Sequence, residues 1–245
     1  MIFDVLLFLA ACLAGGVAAI SGFGIGSLLT PLLALAVDTR VAVAAVSIPH
    51  FVGTLLRFLL LRRHVDRRLL WNFGLTSAVG GLLGALLHTS ISSLALTLIF
   101  GVLLVFAGIT GISGVAQRMQ FHGSIGWIAG LLSGVLGGLV GNQGGIRSAA
   151  LLGFHVPKHA FVATATAIAL FVDIARMPVY FAYQSGEIAG LIRPIALATT
   201  GVALGTLVGS RLLRLLPESL FRRIVAIIIL VLGFYMLYAA FFGQQ

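Results

Sequence analysis

Four charged side chains stand inside otherwise apolar stretches of this chain: Arg57, Arg147, Asp173 and Arg176. A charge in hydrocarbon is costly, so each marks a place where something is bound or paired. Arg147 follows the break Asn142-Gln143-Gly144-Gly145, where a helix is expected to begin. Gly-rich breaks and helix N-termini present backbone N–H groups to anions, and a guanidinium adds a planar fork of donors that suits sulfonate or carboxylate oxygens. The spacing therefore predicts an anion site made by Arg147 with Asn142, Gln143, Gly144 and Gly145. The bland alternative is an arginine that pairs structurally or snorkels to water.

Asp173 and Arg176 are three residues apart and share a helix face. They read either as an ion pair that holds the bundle, or as a second anion ligand (Arg176) beside a proton carrier (Asp173). Asp173 is the one carboxylate deep in any apolar stretch. Arg57 lies four residues from the end of its stretch, where snorkelling accounts for it, and Arg193 is likewise close to an end. A first break, Ser21 to Ser27, carries no charge, but Ser21, Gly24 and Ser27 supply hydroxyls and N–H groups that are expected to reach the same central site. Ser47, Thr164 and Thr166 are hydroxyl donors to that site or helix-packing hydroxyls. His50, next to Pro49, reads as a packed neutral histidine, with titration at a kinked helix as the alternative. His88, His122, His155 and His159 fall in or beside loops, without metal-ligand spacing.

The elements that position these residues follow from composition. The chain has 245 residues, 60% hydrophobic and only 9% charged, against roughly 25% charged in a soluble domain. With a mean hydropathy of +1.16, it is neither a soluble globular protein nor disordered. The single Cys12 excludes a disulfide framework and a thiolate metal cluster. The net charge of +9 suggests nucleic acid, but the basic residues sit in short gaps between apolar runs, where they orient a membrane protein. No nucleic-acid partner and no cofactor is expected. The start, Met1-Ile2-Phe3-Asp4, lacks the basic segment of a cleavable signal.

A crossing needs about 20 apolar residues. Apolar stretches fall at 2–37, 41–61, 69–87, 93–113, 125–154, 159–184, 188–210 and 219–242. The stretches 2–37 and 125–154 are too long for one helix, and each has a glycine cluster in its middle. If all eight cross, the basic residues divide almost evenly between the two sides. If the two broken stretches are re-entrant hairpins, ten basic loop residues lie on one side and Arg40 alone on the other, as the positive-inside rule asks. The expected fold is thus an all-α polytopic membrane protein with six crossings and two hairpins.

An internal repeat agrees. Gly26, Leu33, Arg40, Ala42 and Ala45 align with Gly144, Leu151, Lys158, Ala160 and Ala163. Later, Gly80, Leu83 and Gly84 align with Gly201, Leu204 and Gly205. The units are 1–112 and 125–245, joined by a polar linker at 113–124. Each unit would cross three times, so the second is inverted relative to the first, an architecture common in secondary transporters. The spacings Gly80/Gly84, Gly130/Gly134/Gly138 and Gly201/Gly205/Gly209 allow close helix approach, within the protomer or in a homodimer.

The order of Gly-rich break, Pro31, polar turn and Ala/Ser/Thr-rich helix, repeated once, resembles the sulfite exporter TauE/SafE family. The residues are Gly22-Phe23-Gly24-Ile25-Gly26 with Pro31 and Ala42 to Ser47, then Gly141 to Gly145 with Ala160-Phe161-Val162-Ala163-Thr164-Ala165-Thr166. One departure is Ala149, where the family's second repeat usually carries Pro. The resemblance implies transport of small sulfur-containing anions, such as sulfite or organosulfonates. The sequence leads to a secondary transporter of a small anion, working by alternating access between the two units in a bilayer, most simply a bacterial inner membrane, with proton coupling through Asp173 as an option. An anion channel is the second class. An intramembrane enzyme is the third, and no nucleophile–base pair or metal cluster recommends it.

Overall fold

The computed structural model describes residues 2–22, 24–113, 115, 124–142, 144, 147, 151, 157–212 and 218–242, with side chains except those of 124, 158–159, 209–212 and 218–222. The expected site residues Gln143 and Gly145 lie outside the described residues. Among those described, the chain is all-helical.

Helix α1 (Ile2–Ser21) ends at Gly22, whose φ of 80° needs a residue without a Cβ, and Gly24 follows at φ 124°. The short α2 (Ile25–Leu33) is buried along nearly its whole length. Asp38 opens α3 (Thr39–Leu61) by accepting the Arg40 N–H at 2.9 Å. A 3₁₀ turn at Arg62–His64 leads to α4 (Arg67–Leu69), which Asp66 caps through the Leu69 N–H at 3.0 Å. A π-turn at Leu70–Gly74 runs on into α5 (Leu75–Ser90), and α6 (Ser93–Ser113) follows. Then come α7 (Ser124–Val140), which stops at Gly141 with φ 74°, α8 (Lys158–Gly190), α9 (Ile192–Leu212) and α10 (Glu218–Phe242).

Among the described residues, six helices are long and apolar enough to cross a membrane: Ile2–Ser21, Thr39–His64, Arg67–Ser90, Ser93–Ser113, Ala160–Gly190 and Arg223–Phe242. Ile125–Val140 and Ile192–Val208 are shorter apolar helices. Helix α1 therefore has the length of a full crossing, about 30 Å at 1.5 Å per residue, although the sequence reading makes it the first limb of a hairpin. Two boundaries also move. The expected loop Gln184–Glu187 lies within α8, because nothing in Gln184-Ser185-Gly186-Glu187 stops a helix, and only Gln184 leaves helical geometry (φ −133°, ψ 21°). The expected loop start at His88 is the buried end of α5.

Packing pairs the helices in a reciprocal way. Helix α1 lies along α9, and α7 lies along α5; α3 and α8 cross in the centre, and α6 packs on α10. Glycines set both long contacts. A methyl group on Gly84 would strike the Val135 carbonyl, and one on Gly138 the Gly81 carbonyl. On the other side, Gly205 faces the Cys12 carbonyl and Gly15 the Val202 carbonyl. The small-residue spacings thus serve close packing inside one chain, as expected for Gly80, Gly84, Gly134, Gly138, Gly201 and Gly205. Large apolar side chains on the outer faces, such as Leu83, Val102, Ile128, Leu207 and Phe234, are exposed, which suits contact with lipid.

Candidate functional site

Two polar stripes face each other where α3 crosses α8. On α3, Ser47, His50, Thr54 and Arg57 recur at helical spacing, and all are buried. On α8, Thr166, Asp173, Arg176, Tyr180 and Gln184 do the same. Asp173 has no exposed surface, and it joins the stripes. Its Oδ1 accepts from Arg176 Nε at 2.9 Å and Nη2 at 2.8 Å, and its Oδ2 lies 2.7 Å from His50 Nδ1.

The last carbonyls of a helix have no partner within it. In α7, side chains from other helices supply them. Arg176 Nη1 donates to Gly137 O at 2.6 Å, the Tyr180 hydroxyl to Gly138 O, and His88 Nδ1 to Leu139 O at 2.7 Å. The Arg176 guanidinium also stands over the Tyr180 ring, 5.8 Å from its centre. The end of α1 is served likewise: Arg57 Nη1 donates to Ala18 O. The Arg57–Ala18 and Arg176–Gly137 bonds each join residues 39 apart. In each case the same carbonyl also accepts from the positive-φ glycine four residues on, Gly22 at 2.9 Å and Gly141 at 3.0 Å.

The two breaks touch. Gly26 sits so close to the Gly141 carbonyl that a Cβ there would overlap it, and Ser27 Oγ donates to Asn142 Oδ1 at 3.3 Å. Gly24 and Gly144 are buried beside them. Arg147 is 2% exposed, and among the described residues its Nε and Nη1 have no hydrogen-bond partner; neither have Arg57 Nε, Thr30 Oγ1 and Thr166 Oγ1. Arg147 lies within electrostatic reach of Asp173, Arg176 and Arg57. Three buried guanidiniums therefore share one carboxylate among the described residues, and two of the three keep unused donors. Buried donors without acceptors are rare in folded proteins and call for an explanation.

The structure brings together Arg147, Arg176 and Asp173, with Asn142, Gly144, Gly24 and Ser27 at the touching breaks. Ser21 Oγ donates to Val17 O at 2.9 Å. Ser47 Oγ makes a local bond to Ala44 O at 2.6 Å, whereas Thr164 Oγ1 accepts the distant Asp66 N–H at 2.9 Å, tying α8 to the start of α4. Two sequence readings are corrected. Arg57 does not snorkel; it is 2% exposed and capped onto α1. His88 is not a loop residue but is fully buried. The pairing of His50 with Asp173 was not legible, because 123 residues separate the partners. A stripe count on α3 holds the available signal, since Ser47, His50, Thr54 and Arg57 share one helical face.

A family model described as sulfite exporter TauE/SafE matches residues 7–236. The chain belongs to this family, a family of transporters, and is a multi-pass membrane protein. No curated protein and no solved structure matches it.

Proposed function

We propose that this member of the sulfite exporter TauE/SafE family is a secondary transporter of a small oxyanion, sulfite or an organosulfonate. Arg147 is the anion's principal ligand. The observation that carries this is a buried guanidinium with two donors unused, beside two further guanidiniums and a single carboxylate. An oxyanion would accept from those N–H groups and offset the surplus positive charge.

The transport path runs between the units 1–112 and 125–245, which are related as inverted repeats with 113–124 as linker. Supporting this, Arg57 caps the end of α1 as Arg176 caps the end of α7, across the same sequence separation. The reciprocal packing of α1 on α9 and of α7 on α5 is what such a repeat requires. The breaks meet as they do at the central sites of inverted-repeat transporters, and the two units rock around them in alternating access. The loop bearing Arg62, Arg63, Arg67 and Arg68, all exposed, faces the cytoplasm of a bacterial inner membrane. Anion export then runs downhill electrically by about 2.3 kcal/mol per charge for each 100 mV.

The test is thermal stability of the purified protein against sulfite, sulfate, thiosulfate, sulfonates and carboxylates. A ligand at about 100 times its dissociation constant adds about 2.7 kcal/mol. Sulfur oxyanions or sulfonates should raise the melting temperature selectively. Arg147→Ala should lose that response while still folding. An undiminished response in Arg147→Ala would remove Arg147 from the site.

A further inference from the structure

Coupling to protons turns on which buried group has room to take one. Asp173 is poorly placed. Both its oxygens already hold donors, and a proton on either would neutralise the carboxylate that Arg176 and His50 lean on. That would leave a buried guanidinium without its counter-ion. His50 is differently placed. Its 2.7 Å contact with the carboxylate commits Nδ1 as the N–H donor, so Nε2 keeps its lone pair. A proton taken there breaks no bond to Asp173. Histidine is also the side chain whose charge ordinarily changes between about pH 5 and 8.

The charges around His50 tie its proton to the anion. Asp173 and Arg176 face it from α8, and Arg57 from its own helix. Arg147 acts on Asp173 and Arg57 from the second break. The other helices packed on α3 are α2, α6 and α9. Neither α2 nor α6 carries a charged residue, and the described charge of α9, Arg193, is paired with Asp4 at the surface. With three guanidiniums already present, a further positive charge on His50 is opposed until an anion docks among them.

We propose that His50 binds the transported proton on Nε2, with Asp173 as its fixed counter-ion, so that each anion held by Arg147 travels with one proton. The proton cancels one negative charge of the cargo, so the electrical drive acts only on the charge that is left, and for a monovalent anion the direction follows the anion and proton gradients. This rests on the reading of the chain as an anion carrier. The proton comes from water, forms the Nε2–H bond of an imidazolium, and leaves by the same bond when the anion departs.

Isothermal titration of the purified protein with methanesulfonate and with sulfate tests it. Neither anion changes its own charge in the range where histidine titrates, from about pH 5.5 to 8. Buffers of different ionisation heat count the protons. The wild type should bind close to one proton with each anion, and its affinity should fall about tenfold per pH unit on the alkaline side. His50→Gln should bind anion with no proton and no pH dependence. Anion binding without a proton in the wild type overturns the inference and leaves the carrier reading standing, as does a proton still taken up by His50→Gln. Failure of both anions to bind overturns the carrier reading and the coupling with it. The wild-type count decides the matter even if the variant does not fold.

Discussion

The Arg57 guanidinium rests on the hydroxyl of Thr54, three residues earlier and 3.2 Å away. Arg176 holds the corresponding place on α8, but there the residue three positions earlier is Asp173. One guanidinium leans on a neutral hydroxyl and the other on a carboxylate, and this asymmetry leaves the centre positively charged.

Supplying the missing carboxylate should therefore quench the site. Thr54→Asp places an acid of similar size beside Arg57. Without ligand, this variant should melt no lower than the wild type, since it pairs a buried charge. Its affinity for sulfur oxyanions should fall at least about tenfold, or about 1.4 kcal/mol. Calorimetric melting and anion titration check both halves, and an unchanged affinity would exclude Arg57 from the field that holds the anion.

The glycine contacts give a graded stability test. Gly84→Ala and Gly205→Ala each drive a methyl group into a backbone carbonyl, of Val135 and Cys12 respectively. Backbone cannot rotate aside as a side chain can, so each should lose about 1–3 kcal/mol. Gly190 meets nothing within 4 Å, and Gly190→Ala should be neutral or stabilising by up to about 1 kcal/mol. Denaturation in detergent measures all three. Equal gains at all three would mean that helix propensity, and not close packing, governs these positions.

Topology is open to labelling. Ser185 is exposed near the end of α8. A cysteine there, in a background with Cys12 replaced, should react with an impermeant thiol reagent on intact cells. Reaction only after the membrane is opened would reverse the proposed orientation.

Much of this arrangement was legible in the residues. Asp173 and Arg176 announce themselves by a spacing of three inside an apolar stretch, and α6 begins and ends where its apolar run does. Gly22 and Gly141 mark real breaks, because a positive φ excludes most other residues there. What the sequence hides is burial at helix ends. Arg57 and His88 sit near the ends of apolar runs, where a side chain normally reaches water. Both are instead drawn inward by carbonyls at the ends of helices distant in sequence, Ala18 for one and Leu139 for the other. Periodicity within a segment cannot report a partner supplied by another.

The end of α7 also limits how the protein moves. Arg176 and Tyr180 of α8 and His88 of α5 pin three successive carbonyls of α7. A slide of α7 along either neighbour by one helical turn would forfeit all three bonds at once. Helices α5, α7 and the central part of α8 are in effect bolted together, and any displacement in this half carries them as a single block. Any bend between this block and the end of α8 must then lie beyond the bolts, and Gln184, one turn past Tyr180, is where α8 already leaves helical geometry.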